Sequence, residues 1–89
     1  MNIKYKLSDK QVSTTFSGES VILNHADGTY YTLNEVGSFI WDLIEESPKS
    51  MDELAEAVQD EFEVSEEECI RDIKSLLTDL QHEGLLEQV

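Results

Sequence analysis

The sequence predicts an α+β domain of winged-helix type, in which a three-stranded antiparallel sheet is followed by three helices. Three observations carry that expectation. Short segments rich in β-branched and apolar residues, Val12 to Phe16, Ser20 to Asn24 and Thr29 to Leu33, are separated by the turn signals Ser17-Gly18-Glu19 and Asp27-Gly28, which is how a meander of hairpins reads. Beyond Asn34 the apolar residues change to helical spacing, in runs that each begin with a capping residue. With 89 residues the chain can fill one modest core and not two. A sheet this small is not stable alone, so it packs against the helices.

The strand from Thr29 to Leu33 and the helix after it organise the rest. Thr29, Tyr30, Tyr31, Thr32 and Leu33 suit a pleated, half-buried surface. Asn34 is a helix N-cap, since its side-chain oxygen can accept from an orphan amide one turn on. Val36, Phe39, Ile40, Leu43 and Ile44 then fall at i, i+3, i+4, i+7 and i+8, one apolar stripe of a helix. Ser47-Pro48-Lys49 breaks the chain, and Ser50 with Glu53 forms a capping box for the second helix, whose stripe is Met51, Leu54, Ala55, Val58 and Phe62. Ser65 with Glu68 opens the third helix in the same way. There Ile70, Ile73, Leu76, Leu77 and Leu80 are expected to be buried, with Cys69 on the flank. Gly84 is the expected left-handed residue that stops this helix, leaving Leu85-Leu86 apolar and extended.

The first eleven residues read as an N-terminal arm ahead of a domain spanning 12–89. Ile3, Tyr5 and Leu7 alternate with Lys4, Lys6 and Ser8, the two-residue period of an extended arm or an edge strand. Lys4, Lys6 and Lys10 are three of the six basic residues. Such an arm either lies across its own acidic domain or docks on another protein.

Charge narrows the possible functions. Six basic against twenty acidic residues give a formal net charge of -14, a surface that repels phosphate backbones, so nucleic acid is not an expected partner. A charged partner should be basic. No apolar run approaches the roughly 18 residues of a membrane helix, and the first ten residues lack the apolar centre of a signal peptide. The expected setting is the cytoplasm, with no membrane contact, and mutual repulsion favours a monomer.

No catalytic constellation stands out. His25 and His82 are the two histidines, one in a hairpin and one at a helix end, with no spacing that puts two metal ligands on one face. Cys69 is the single cysteine, which forbids an intrachain disulfide or a thiolate cluster. The acidic run Glu66-Glu67-Glu68 is accounted for by the dipole of the helix it opens. No cofactor, no metal and no enzymatic activity are expected. What remains is the outer edge of the third strand: from Thr29 to Asn34 it carries no proline, lysine or charge to guard it. That edge is either covered by the third helix or the arm, or open to an extended peptide that adds as a fourth strand.

The run Tyr30-Tyr31, Leu33-Asn34, Gly37, Ile40-Trp41 and Leu43, followed by two helices ending in Gly84-Leu85-Leu86, resembles the PqqD-like peptide-recognition proteins. These are leader-binding elements of ribosomally made, post-translationally modified peptide (RiPP) pathways, and the chain is most similar to the stand-alone members of lasso-peptide clusters. The resemblance covers Val12 to Leu86. It implies a non-catalytic protein that binds the leader of a precursor peptide as an added antiparallel strand, in a groove between the third strand and the third helix. By that resemblance the binding residues are Thr29, Tyr30, Tyr31, Thr32 and Leu33 on the strand, with Cys69, Asp72, Ile73 and Leu76 on the helix. The apolar ones are expected to receive leader side chains, and Asp72 to meet a basic group. Asn34, Gly37 and Trp41 belong to the motif but read as structural.

The resemblance also implies delivery of the bound precursor to a separate leader peptidase, which requires a second surface. The arm and the second helix are the candidates for it. Two other functions suit the same charge and fold: an acidic winged-helix regulator or anti-repressor that binds a basic protein, and a PqqD-like partner of a radical enzyme that modifies peptides.

Overall fold

The computed structural model describes residues 3–9, 11–16, 19–24 and 28–89. In chain order its elements are β1 (Lys4–Leu7), β2 (Gln11–Phe16), β3 (Glu19–Asn24), β4 (Tyr30–Leu33), α1 (Glu35–Glu46), β5 (Lys49–Ser50), α2 (Met51–Glu61), α3 (Glu66–His82) and β6 (Leu86–Gln88). The expected meander is present, with strand order β2-β3-β4 and antiparallel pairing throughout. Of the turn and hairpin residues, Ser17, Gly18, His25 and Asp27 lie outside the described residues, as does Lys10. Gly28 follows with φ +73°, the left-handed conformation that favours glycine.

A second three-stranded sheet, ordered β5-β1-β6, accompanies the first. This alters the place of the opening segment: Lys4–Leu7 is the middle strand of a sheet, paired on both sides, rather than an arm or an edge. The physical reason is its alternation. Tyr5 and Leu7 pack against the core while Lys4 and Lys6 face outward, and the backbone on each side finds a partner in β5 or β6. Lys4 Nζ then sits 3.7 Å from Glu53 Oε1 on α2.

The three helices begin where their caps dictate. Asn34 Oδ1 accepts from the Gly37 N–H at 2.8 Å. Ser50 and Glu53 form the full reciprocal box, Oγ accepting from the Glu53 N–H and the Glu53 carboxylate accepting from the Ser50 N–H. At α3 the Ser65 hydroxyl accepts from the Glu68 N–H, the forward half of such a box. Its other end is a Schellman closure, with the Leu85 N–H bonded to the Leu80 carbonyl and the Gly84 N–H to that of Gln81, around Gly84 at φ +74°. Asn24 Nδ2 donates to the Glu83 carbonyl at 2.8 Å and ties the end of β3 to that corner.

The core joins Ile22 and Leu33 of the meander to Ile40, Trp41 and Ile44 of α1, Leu54 and Val58 of α2, and the inner face of α3. That face is Cys69, Ile73, Leu77 and Leu80, spaced i, i+4, i+8 and i+11. Two expectations are corrected here. Cys69, placed on the flank by its sequence context, is buried, whereas Ile70 is 36% exposed; one residue is 100° of helix, so if position 69 faces inward, position 70 cannot. Phe39 and Phe62 meet edge to face, centroids 5.5 Å apart, and fasten the end of α2 to α1.

Replacing Ser50 by alanine is expected to lower the unfolding free energy by about 1 kcal/mol, read from the urea midpoint. Glu53 adds a pH signature. The Ser50 N–H it accepts from, helped by Lys4, holds its carboxyl below the ordinary value. A lowered folded-state pKa stabilises above the unfolded value, and that stabilisation is lost as pH falls through the folded value. The gap in urea midpoint between the native protein and Glu53→Gln is therefore expected to close on acidification; a gap that widened would contradict the capping role.

Candidate functional site

The register of β4 decides which backbone groups are available. Leu23 lies opposite Tyr30, Ile22 opposite Tyr31, Val21 opposite Thr32 and Ser20 opposite Leu33. The Asn24 N–H bonds to the Thr29 carbonyl at 2.9 Å, which makes that pair a hydrogen-bonded one. Alternation along an antiparallel ladder then assigns Tyr31 and Leu33 to bonding with β3 and turns the N–H and C=O groups of Tyr30 and Thr32 the other way. Among the described residues no strand pairs with that side.

The side chains alternate as well. Tyr31 and Leu33 share the inward face with Ser20 and Ile22, while Tyr30 and Thr32 point out, Tyr30 being 72% exposed. Leu33 runs directly into α1, and Gly37 is where the two meet most closely. A Cβ at Gly37 would lie 3.2 Å from Leu33 Cδ2 and 3.3 Å from Asn34 Oδ1, so a side chain there would push on the last residue of the strand.

Between the β4 edge and α3 lies a groove of about 490 Å³. Tyr31, Thr32 and Leu33 form one wall and Cys69, Asp72 and Leu76 the other. These are six of the nine residues the resemblance nominated. The other three do not line it: Ile73 is 1% exposed and belongs to the core, and Thr29 and Tyr30 lie beyond its end, exposed. Helix geometry separates Ile73 from its neighbours on α3, because 69, 72 and 76 follow the groove while 73, 77 and 80 turn beneath it.

The floor comes from residues that sequence reasoning did not nominate. Val36, Gly37 and Ile40 of α1, Val58 of α2, and Val64 of the α2–α3 connection close the groove from below. Their helical spacing marked most of them as core, and they are core; the groove is the place where that core comes to the surface. Glu19 at the start of β3 and Asp72 are the charged residues among those that line it, so the lining is acidic at its rim and apolar within.

Two of the residues lining the groove have perturbed proton affinities. Burial pushes the Tyr31 phenol above its ordinary value, with the negative charges of Asp79 and Glu83 adding to the shift. Burial likewise raises the Cys69 thiol, with Asp72 and Glu66 contributing; its Sγ lies 3.7 Å from the Ala55 carbonyl. A buried thiol with raised pKa is a small apolar lining group, not a nucleophile.

Residues 19–86 match the family of Coenzyme PQQ synthesis protein D (PqqD). The chain belongs to the PqqD family. Among solved structures, this PqqD-family chain is similar to TbiB1 in complex with the TbiA(beta) leader peptide, at 39% identity and TM-score 0.85 over 92% of this chain and 94% of that one. It shares its fold with lasso peptide synthetase B1 complexed with the leader peptide, at 24% identity and TM-score 0.81 over 93% and 96% of the two chains. No curated protein matches it in sequence.

Asn34→Ala is expected to cost about 1 kcal/mol in a urea titration through loss of the α1 cap, with Asn34→Asp close to the native value. The Cys69 thiol is expected to resist iodoacetamide at neutral pH in the folded protein and to react readily in denaturant. Fast modification under native conditions would mean that this wall of the groove is not packed as described.

Proposed function

We propose that this chain is a non-catalytic RiPP recognition element that captures the leader of a ribosomal precursor peptide by strand addition and delivers it to the leader peptidase of a lasso-peptide pathway. The observation that carries the reading is the outer β4 edge, which no strand among the described residues pairs with, lying alongside an apolar groove. Membership of the PqqD family and the likeness to a chain solved with a leader peptide support it.

An added strand would find main-chain partners in Tyr30 and Thr32, each hydrogen bond contributing about 0.5–1.5 kcal/mol net. Specificity would come from side chains entering the groove against Tyr31, Leu33, Cys69 and Leu76, where apolar burial contributes roughly 25 cal/mol per Å². Ile73 would support that wall from beneath. Asp72 and Glu19 favour a ligand with basic groups and speed its approach to a chain of net charge -14. Holding the leader places the attached core peptide near the peptidase at an effective concentration of about millimolar for a short flexible connection. The chain would work as a monomer in the cytoplasm.

The test is titration of the protein with the leader of the precursor encoded beside its gene, followed by fluorescence anisotropy. Saturable one-to-one binding is expected, weakened more than about tenfold by Leu76→Glu, which sets a charge in the apolar groove, with the circular dichroism spectrum unchanged. Absence of binding by the native protein would overturn leader recognition. Equal binding by the variant would move the ligand elsewhere.

A further inference from the structure

Delivery of a bound leader requires a surface apart from the groove, and the opening segment and α2 are the elements the sequence offers for it. The opening segment does not serve, because Lys4–Leu7 is the middle strand of the β5-β1-β6 sheet and is paired on both sides. α2 is different: a cleft of about 340 Å³ runs between it and the start of α3. The cleft shares no lining residue with the groove. The two stand back to back where Cys69 Sγ, in the groove wall, lies 3.7 Å from the carbonyl of Ala55, which lines the cleft.

Apolar and charged groups are combined there. Of the large hydrophobic residues left exposed, Ile3 and Val89 lie near the chain ends and Tyr30 on β4, whereas Ile70 stands in the middle of the molecule's longest helix and lines the cleft beside Ala55. Around them Asp52, Glu56, Asp60 and Glu66 are exposed and make no ion pair among the described residues. Asp52 and Glu66 sit in the first turns of their helices, where the dipole favours them. Glu56 and Asp60 have no such account. They follow Asp52 at i+4 and i+8, so like charges repel along one face; Asp60 also lies in the last turn of α2, where the dipole disfavours an anion and no basic residue offsets it. A cationic partner would relieve both costs. We infer that this cleft is where the leader peptidase docks, by a segment that presents lysine or arginine on either side of one apolar side chain. The apolar residue meets Ile70 and Ala55, and the cations meet Glu56 and Asp60. The inference rests on the delivery reading above and adds to it the surface used and the chemistry of the partner. Because the linings are separate, leader and peptidase are held at the same time.

The experiment measures association with the leader peptidase encoded beside the gene, by biolayer interferometry, for the native protein, for a Glu56→Lys, Asp60→Lys double variant and for Ile70→Ser. Each is also titrated with the precursor leader. The double variant is expected to bind the peptidase at least roughly tenfold more weakly, since it sets like charges against the partner's cations, and Ile70→Ser several-fold more weakly, with leader affinity kept in both. The native association is expected to weaken as salt is raised. A photoreactive p-benzoylphenylalanine in place of Gln59, an exposed residue of the cleft, is expected to cross-link to a peptidase segment that carries basic residues around an apolar one. Undiminished binding by both variants, or cross-linking to an acidic segment, would overturn the inference. If the native protein binds leader but never the peptidase, the delivery reading itself fails; if the peptidase binds and neither variant alters it, only the present inference does.

Discussion

An antiparallel ladder that ends one strand short is the constraint on which the rest depends. Every non-proline residue brings a donor and an acceptor that must be satisfied by protein or by water. On β4 those of Tyr30 and Thr32 are turned away from β3, and the adjoining surface is apolar. Proteins that do not use such an edge guard it with charge, proline or a covering element. Here the opening strand, one of the elements that could have covered it, is held in the other sheet between β5 and β6. The fold keeps the edge available, and α3 stands beside it at the distance of a groove.

The third helix serves two purposes by dividing its circumference. Cys69, Ile73, Leu77 and Leu80 complete the core, whereas Asp72 and Leu76 look into the groove. Cys69 belongs to both, which is possible because a thiol is small and packs as an apolar group. Coupling follows from this arrangement: the side of α3 that would touch a ligand cannot shift without disturbing Ile73 and Leu77, so the wall is preorganised and little ordering is lost on binding. On the opposite wall Gly37 lets α1 come close to Leu33, where an added Cβ would stand 3.2 Å from Leu33 Cδ2 and the neighbour would have to give.

Much of this was legible in the sequence because its signals are local. Capping residues, the change from strand-like to helical spacing at Asn34, and the glycine at the end of α3 each state their structure within a few positions. The second sheet was not legible: β5 has two residues and β6 three, too few to show a period, and β1 alone reads as an arm because its partners are distant in the chain. On α3 the apolar run is broader than one face, so spacing placed Ile70 inside and Cys69 on the flank, the reverse of what packing with α2 selects. The same breadth put Ile73 among the nominated groove residues. Val36, Val58 and Val64 come from separate elements and meet only in the folded chain, so no linear motif points to them.

The most direct test of the central claim is hydrogen–deuterium exchange at single-residue resolution, with and without the precursor leader. The account predicts that the Tyr30 and Thr32 amides, turned to the open edge, exchange quickly in the free protein and become protected on binding, while Tyr31 and Leu33, already bonded to β3, change little. Protection of Tyr30 and Thr32 before any ligand is added, or ligand-induced protection confined to other elements, would contradict the claim that this edge is where the peptide is held.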